Sequence, residues 1–322
     1  MGDILSRTWL ALKSRFAPDI SIFHQFVKPP YGGGNQFALA LKKELENRGY
    51  AVGANRITTS TLSCLFNSYN FDYEKLARLK DKHPDCKMTH RVDGPITVYR
   101  SVDDGTDKKI HEMNTNLADV TVFQSNYSFS RHKELGLNFV NPVVIVNACD
   151  PSIFHSRGRV PFDPAHKIKL ISVAWSDNVN KGGPVYQWLE KHLDWNRYEF
   201  TFVGRTKYEF EKIKVIPPVG SEEMARLLRE HHIYITASKH ESCSNSLIEA
   251  LTCGLPVVYV KSGSNGEIAQ QGGEGFETNE EALAAIDKIA GAYEKYAAIL
   301  PQRKISDVAD NYLSAMGVVV KP

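Results

Sequence analysis

Two glutamates eight positions apart, Glu241 and Glu249, stand in the stretch Glu241-Ser-Cys-Ser-Asn-Ser-Leu-Ile-Glu249-Ala-Leu-Thr-Cys-Gly254-Leu-Pro256-Val-Val. The apolar segment Ile233-Tyr-Ile-Thr-Ala before it reads as a short buried strand, and Pro256-Val-Val-Tyr-Val after it reads as the next one. The helix between them begins around Ser244, Asn245 and Ser246. Free backbone N–H groups and the positive end of the helix dipole favour phosphate there, and Glu249, deeper in the helix, is placed to accept bonds from sugar hydroxyls. A sugar nucleotide carries both groups. Ser246-Leu-Ile-Glu249 also has the spacing of a capping box, and in that alternative Glu249 only satisfies the helix's own N–H groups.

Other residues able to do chemistry fall at strand ends. A first strand over residues 21–27 leads into Lys28-Pro-Pro-Tyr-Gly-Gly-Gly34-Asn, where Gly33 and Gly34 allow a phosphate close to the backbone and Asn35 is placed to cap the helix that follows. Phe37 stands where the dinucleotide pattern G-x-G-x-x-G needs its third glycine, which disfavours a nicotinamide enzyme. A strand over residues 86–92 ends in Thr89-His90-Arg91-Val92-Asp93-Gly94, and polar groups at the C-terminal end of a parallel strand face the ligand crevice. Asp93, directly before the turn, is the first candidate, with His90 and Arg91 behind it. The alternative is a plain Asp-Gly turn with Arg91 in a surface ion pair. Lys181 follows the strand 169–175, and Pro184 just beyond suits the first turn of a helix. The Lys181 ammonium is thereby expected to be free to meet an anion. Arg205 ends the strand over residues 198–203 and is expected at the same crevice.

The elements that hold these residues alternate strand and helix twice. At 322 residues the chain fits two domains. The Pro-, Gly- and Arg-containing stretch 156–166 has linker composition, which places an N-terminal domain at 1–155 and a C-terminal one at 156–302. Lys+Arg 39 minus Asp+Glu 37 gives +2, so bulk charge makes no case for nucleic acid. Five cysteines without a Cys-x-x-Cys pair argue for a reducing compartment and against zinc or a disulfide framework. Asp103-Asp104 reads as a loop and helix start, and His231-His232 lacks a third ligand, so no metal is assigned. No apolar run reaches the ~20 residues of a membrane span and no signal peptide is evident, which predicts a cytoplasmic protein. Residues 4–16 form a basic amphipathic pattern with two readings, a packing helix or peripheral contact with a membrane.

The Glu-x7-Glu pattern with Ala-Leu and Gly-Leu-Pro-Val-Val resembles the nucleotide-sugar site of retaining glycosyltransferases of family 4. The glycine loop, Asp93, the Asn147-x-x-Asp150 turn, Lys181-Gly182 and the loop from Gly263 to Glu267 occur in the family's order. The resemblance implies an α/β protein of two Rossmann-like domains facing each other across a cleft (GT-B), the first on the acceptor side and the second binding the donor. A C-terminal helix, about 303–322, would pack back on the first domain. It implies sugar transfer from a nucleotide sugar to a glycan, lipid-linked or small-molecule acceptor, without metal or cofactor. Asp93, Lys181 and Glu241 would be catalytic; Gly33, Gly34, Arg205, Ser244, Asn245, Ser246 and Glu249 would bind the donor. Family members carry an arginine shortly before the lysine, and this chain has none there, so Arg205 is the candidate for the second charge. A nucleotide-sugar 2-epimerase of the same fold and a non-catalytic sugar-nucleotide-binding protein are the alternatives.

Overall fold

The computed structural model describes residues 2–27 and 33–320, with backbone only for residues 2–7. The first part of the glycine loop, Lys28 to Gly32, therefore lies outside the described residues, as do the side chains of Ile4, Leu5 and Arg7 in the amphipathic stretch.

Two compact units emerge. Residues up to Val27, Gly34–Asn147 and the chain from Ile305 onward form the first, and Gly33 with Ala148–Lys304 belongs to the second. The first unit's strands are β1 (Ile20–Phe23), β2 (Val52–Ala54), β3 (Ser63–Asn67), β4 (Lys87–Val92), β5 (Val120–Phe123) and β6 (Pro142–Val144). The second contains β7 (Ile168–Ala174), β8 (Tyr198–Gly204), β9 (Lys214–Ile216), β10 (Ile233–Thr236), β11 (Val257–Val260) and β12 (Gly273–Phe276). All pairings are parallel, in the orders β2-β1-β3-β4-β5-β6 and β12-β11-β10-β7-β8-β9. Parallel neighbours need a crossover of a dozen or more residues, and the amphipathic segments between strands supply it as helices.

Both faces of such a sheet are covered, so the central strands are buried almost throughout, including the polar Thr89, His90 and Arg91 of β4. In the second unit Leu170, Phe200, Ile233, Ile235 and Val258 pack with Tyr186 and Leu189 of the helix Gly183–His192. In the first, Phe23, Cys64, Phe66 and Met88 pack with Leu76 of the helix Tyr73–Lys82. The helix Ile305–Ala315 packs on that unit: Tyr312 lies 5.7 Å from Phe37, centroid to centroid, and Arg48 Nη2 donates to Ser306 O at 2.7 Å.

Strand order decides where a ligand fits. A parallel sheet opens a crevice at the carboxyl ends of two adjacent strands whose connections leave toward opposite faces. That switch lies between β1 and β3 in the first unit and between β7 and β10 in the second. Just before β1, the helix Gly2–Phe16 exposes Trp9, Leu12 and Phe16. Among the described residues no helix is long and apolar enough to cross a membrane.

Candidate active site

The switch of the second unit brings Lys181 and Glu241 together. The chain leaving β7 makes a one-turn helix, Val179–Lys181, and the chain leaving β10 turns through His240, whose left-handed φ of 58° is uncommon outside glycine. Lys181 Nζ then stands 2.5 Å from Glu241 Oε1, and Ser238 Oγ donates to the same oxygen at 2.5 Å. The ammonium expected to be free is thus paired with a carboxylate. Burial pushes the Glu241 carboxyl up, but the Lys181 charge and the two hydrogen bonds outweigh it and hold it below its ordinary value.

Two glycines let the backbone close around this pair. A Cβ on Gly182, which has φ +80°, would lie 2.3 Å from the Ala237 Cβ; one on Gly263 would lie 2.5 Å from Glu241 N. No side chain fits either position. Behind the pair, Ala237 N donates to the buried Tyr186 hydroxyl at 3.0 Å, Ser264 N donates to Glu241 O at 2.8 Å, and Asn265 Nδ2 donates to Ser238 O at 2.9 Å. The loop that carries Glu241 is braced through its backbone, which is the rigid support a binding group needs.

The next helix, Asn245–Thr252, starts immediately afterwards. Its N-cap is Ser244, whose Oγ accepts from Leu247 N, and Ser246 Oγ accepts from the buried Tyr234 hydroxyl at 2.9 Å. The capping box over Ser246 and Glu249 does not form, because the helix begins one residue before Ser246. Among the described residues Glu249 therefore accepts no side-chain hydrogen bond, and burial alone pushes its carboxyl up to about 8. Asn245 lies against Gly33, where a Cβ would come within 2.5 Å of its Nδ2. At Gly34 the nearest group to such a Cβ is Asn67 Nδ2, at 3.9 Å, so the backbone there is open. Asn35 is not an N-cap. It is the third residue of the helix Gly33–Asn47, and its amide bonds back to Val27 N and O at 3.2 and 2.9 Å.

Arg205 joins Lys181 in a hollow of about 200 Å³ at the ends of β7 and β8, lined also by Ser176, Asp177, Thr206 and Tyr208. Its position follows from Gly204, which has φ +130° and would place a Cβ 1.7 Å from Ala174 O. Asp177 lines the same space, and Lys181 pairs with Glu241. If Arg205 supplies the second charge expected of it, Arg205→Ala should weaken nucleoside-diphosphate binding by roughly tenfold, as isothermal titration would show.

The first unit's strand ends hold the other candidates. Asp93, half exposed, accepts from Arg91 Nη1 at 3.2 Å and from Gln124 Nε2 through Oδ1. Arg91 is fully buried, donates to Asn67 Oδ1 at 2.6 Å and Asn147 Oδ1 at 3.3 Å, and lies over the Phe37 ring. Asn147 Nδ2 donates to Gln124 Oε1 at 3.2 Å, which closes a ring of four side chains. The surface ion pair considered for Arg91 is thus an internal one. His90 does not reach a crevice. It stacks on Phe66 with centroids 4.2 Å apart, and its ring nitrogens meet Ser68 O and Asn114, so it is a core residue whose burial lowers its pKa to about 4. His231 is likewise internal, bonded to Leu227 O and Thr201. Among the described residues no cluster of three metal-ligating side chains occurs. Asn67, Gln124, Asn147 and Ser238 were missed from sequence. The signal was there in part, since a polar residue directly after an apolar strand marks the crevice end.

Residues 186–295 match the family description "Glycosyl transferases group 1". The match includes Arg205, Glu241 and Glu249 and begins just after Lys181. The likeness to solved structures runs over nearly the whole chain. HepE from Anabaena, solved in complex with UDP and glucose, superposes with a TM-score of 0.69 at 14% identity, over 94% of this chain and 100% of that one. The fold is GT-B. A sucrose-phosphate synthase from Thermosynechococcus elongatus gives 0.66 at 12% identity over 93% and 94% of the two chains. In sequence, 152 residues are 28% identical to a protein described as probable sucrose-phosphate synthase from Thermosipho melanesiensis, a match spanning 45% of this chain and 34% of that relative's length.

Proposed function

We propose that this GT-B chain is a glycosyltransferase that moves a sugar from a nucleotide-sugar donor to a hydroxyl of a glycan, lipid-linked or small-molecule acceptor, with retention as in family 4. The observation that carries it is the junction of β7 and β10. There a partly buried Lys181–Glu241 pair stands beside a helix start bearing Ser244, Asn245 and Ser246, with Glu249 uncompensated in the same helix. Each group has a counterpart on a nucleotide sugar. Lys181, Arg205 and the helix N–H groups face the charge that grows on the leaving diphosphate, a task that pre-aimed cations and dipoles perform without a metal. Glu241 meets hydroxyls of the transferred sugar and Glu249 those of the ribose. Asp93, fixed by Arg91 and Gln124, serves the acceptor.

UDP-glucose is the first donor to try, since related folds were solved with it. A thermal-shift screen of UDP, GDP, ADP and dTDP sugars selects the donor, because a ligand that binds only the folded state raises the melting temperature. Acceptor-dependent release of the nucleoside diphosphate, unaffected by EDTA, is the expected outcome. Interconversion of the free sugar nucleotide without acceptor would instead reveal an epimerase, and binding without turnover would remove the enzymatic reading.

A further inference from the structure

His24, directly after β1, lies at the first unit's switch point opposite Asn67, the last residue of β3. Its backbone is clamped by one side chain: Asn55 Oδ1 accepts from His24 N, and Asn55 Nδ2 donates to His24 O, each at 3.0 Å. Its ring is 6% exposed, set edge-on to Phe26, with Nδ1 3.1 Å from Asn67 Nδ2. The proton on that ring is fixed by a relay that starts at Arg91. A guanidinium only donates, so the Asn67 atom 2.6 Å from it must be the amide oxygen. The Asn67 NH2 is then turned to His24 and donates to Nδ1, which must be unprotonated. A neutral imidazole so bonded carries its proton on Nε2. Among the described residues that buried Nε2 has no partner. Burial and then the nearby Arg91 charge lower the ring's pKa and outweigh the Asp93 charge, which raises it, so the ring stays neutral.

We propose that His24 Nε2–H is a substrate-binding donor of the first unit, held in one tautomer by Arg91 and Asn67 so that it meets a hydroxyl oxygen of the acceptor sugar. An N–H buried without a partner is rare in a folded protein, and this one stands where the sheet opens its crevice, next to the Asp93 ring of hydrogen bonds. The inference rests on the proposed glycosyl transfer for the identity of the ligand. The tautomer rests on geometry alone.

Two measurements test it. Long-range proton–nitrogen NMR of the wild-type histidine rings at neutral pH should show Nδ1 unprotonated and Nε2 protonated for His24, with the Nε2–H signal shifting when glucose or glucose 6-phosphate is added. A protonated Nδ1, or a signal that neither sugar moves, overturns the proposal. With UDP-glucose as donor and the same two sugars as acceptors, His24→Phe should raise the acceptor KM about tenfold and leave the UDP Kd unchanged, and His24→Gln, which keeps a donor, should recover part of the loss. Wild-type acceptor KM in His24→Phe also overturns it. If the wild type releases UDP to neither sugar, the glycosyl transfer from UDP-glucose fails, while the NMR response to the sugars still decides the role of His24.

Discussion

Lys181→Met is expected to lower kcat by about 10³-fold and, in the same protein, to lower stability by about 3 kcal/mol. The first effect follows from removing a cation aimed at the leaving diphosphate. The second follows from the partner left behind. Glu241 is partly buried and shares its Oε1 between Lys181 and Ser238, so deleting the lysine strands a carboxylate with one hydroxyl for company. The pH dependence separates the two states. In the wild type the Glu241 pKa lies below its ordinary 4.5, so the pair's contribution is complete above that value and is lost as pH falls through the lower folded pKa. In Lys181→Met only the Ser238 hydroxyl opposes burial, so the folded pKa is expected to rise above 4.5, the sign reverses, and stability drops as pH rises from 4.5 through the folded value. Urea titrations of both proteins at several pH values read this directly. Lys181→Met/Glu241→Gln should regain most of the stability without regaining turnover. If the single variant keeps wild-type kcat, Lys181 has no part in the reaction.

Most of the fold was legible because its signals are local. Apolar runs over 198–203 and 233–237, each bounded by turn residues, appear as β8 and β10. Residues 73–82 and 221–229 also read as helices from sequence, the second from its acidic first turn with Ser221 as N-cap, and both are helices, although the second is capped by Gly220. Short edge strands carry no such signal. Val52–Ala54 and the glycine-containing β12 are made by pairing with a neighbour, a long-range event that propensity does not record. From sequence, residues 280–296 read as one long helix; the chain instead departs from helical φ and ψ at Ala292, between the helices Asn279–Gly291 and Tyr293–Ala297.

Residue type and position put Asp93, Lys181 and Arg205 just beyond strand ends, where the structure has them, yet did not tell what each touches. The closing of Lys181 onto Glu241 depends on two loops sixty residues apart meeting over Gly182 and Gly263. His90 shows the opposite error. A polar residue near a strand end alternates between crevice and core by a single step in register, and His90 falls on the side that stacks against Phe66. His24 was hidden because the first strand was read through to residue 27, whereas pairing stops at Phe23 and leaves the imidazole at the crevice end.

Glu249 leads to a second large effect, with a pH signature of its own. The isolated protein holds this carboxyl with a pKa of about 8, raised by burial with no cation or N–H to offset it, so near neutral pH it is mostly protonated. Ribose hydroxyls donating to the carboxylate stabilise its charged form, so binding draws the proton off. Donor affinity should therefore climb as pH rises toward 8 and level off above it. Glu249→Gln, nearly the same shape without the charge, should weaken the donor by roughly 10- to 100-fold above pH 8 and flatten that climb. The same raised pKa predicts the reverse for stability. The unfolded chain ionises Glu249 near 4.5 and the folded chain does not, so stability is complete below 4.5 and is lost as pH rises to about 8, at ~1.4 kcal/mol for each pKa unit. Glu249→Gln removes that loss and should be more stable than the wild type at pH 8, while binding donor worse. Opposite signs for binding and stability in one isosteric variant are what a carboxylate kept for a ligand produces. A group kept only to cap its own helix would lose both together, and calorimetric Kd values alongside melting temperatures across pH 5 to 9 tell the two apart.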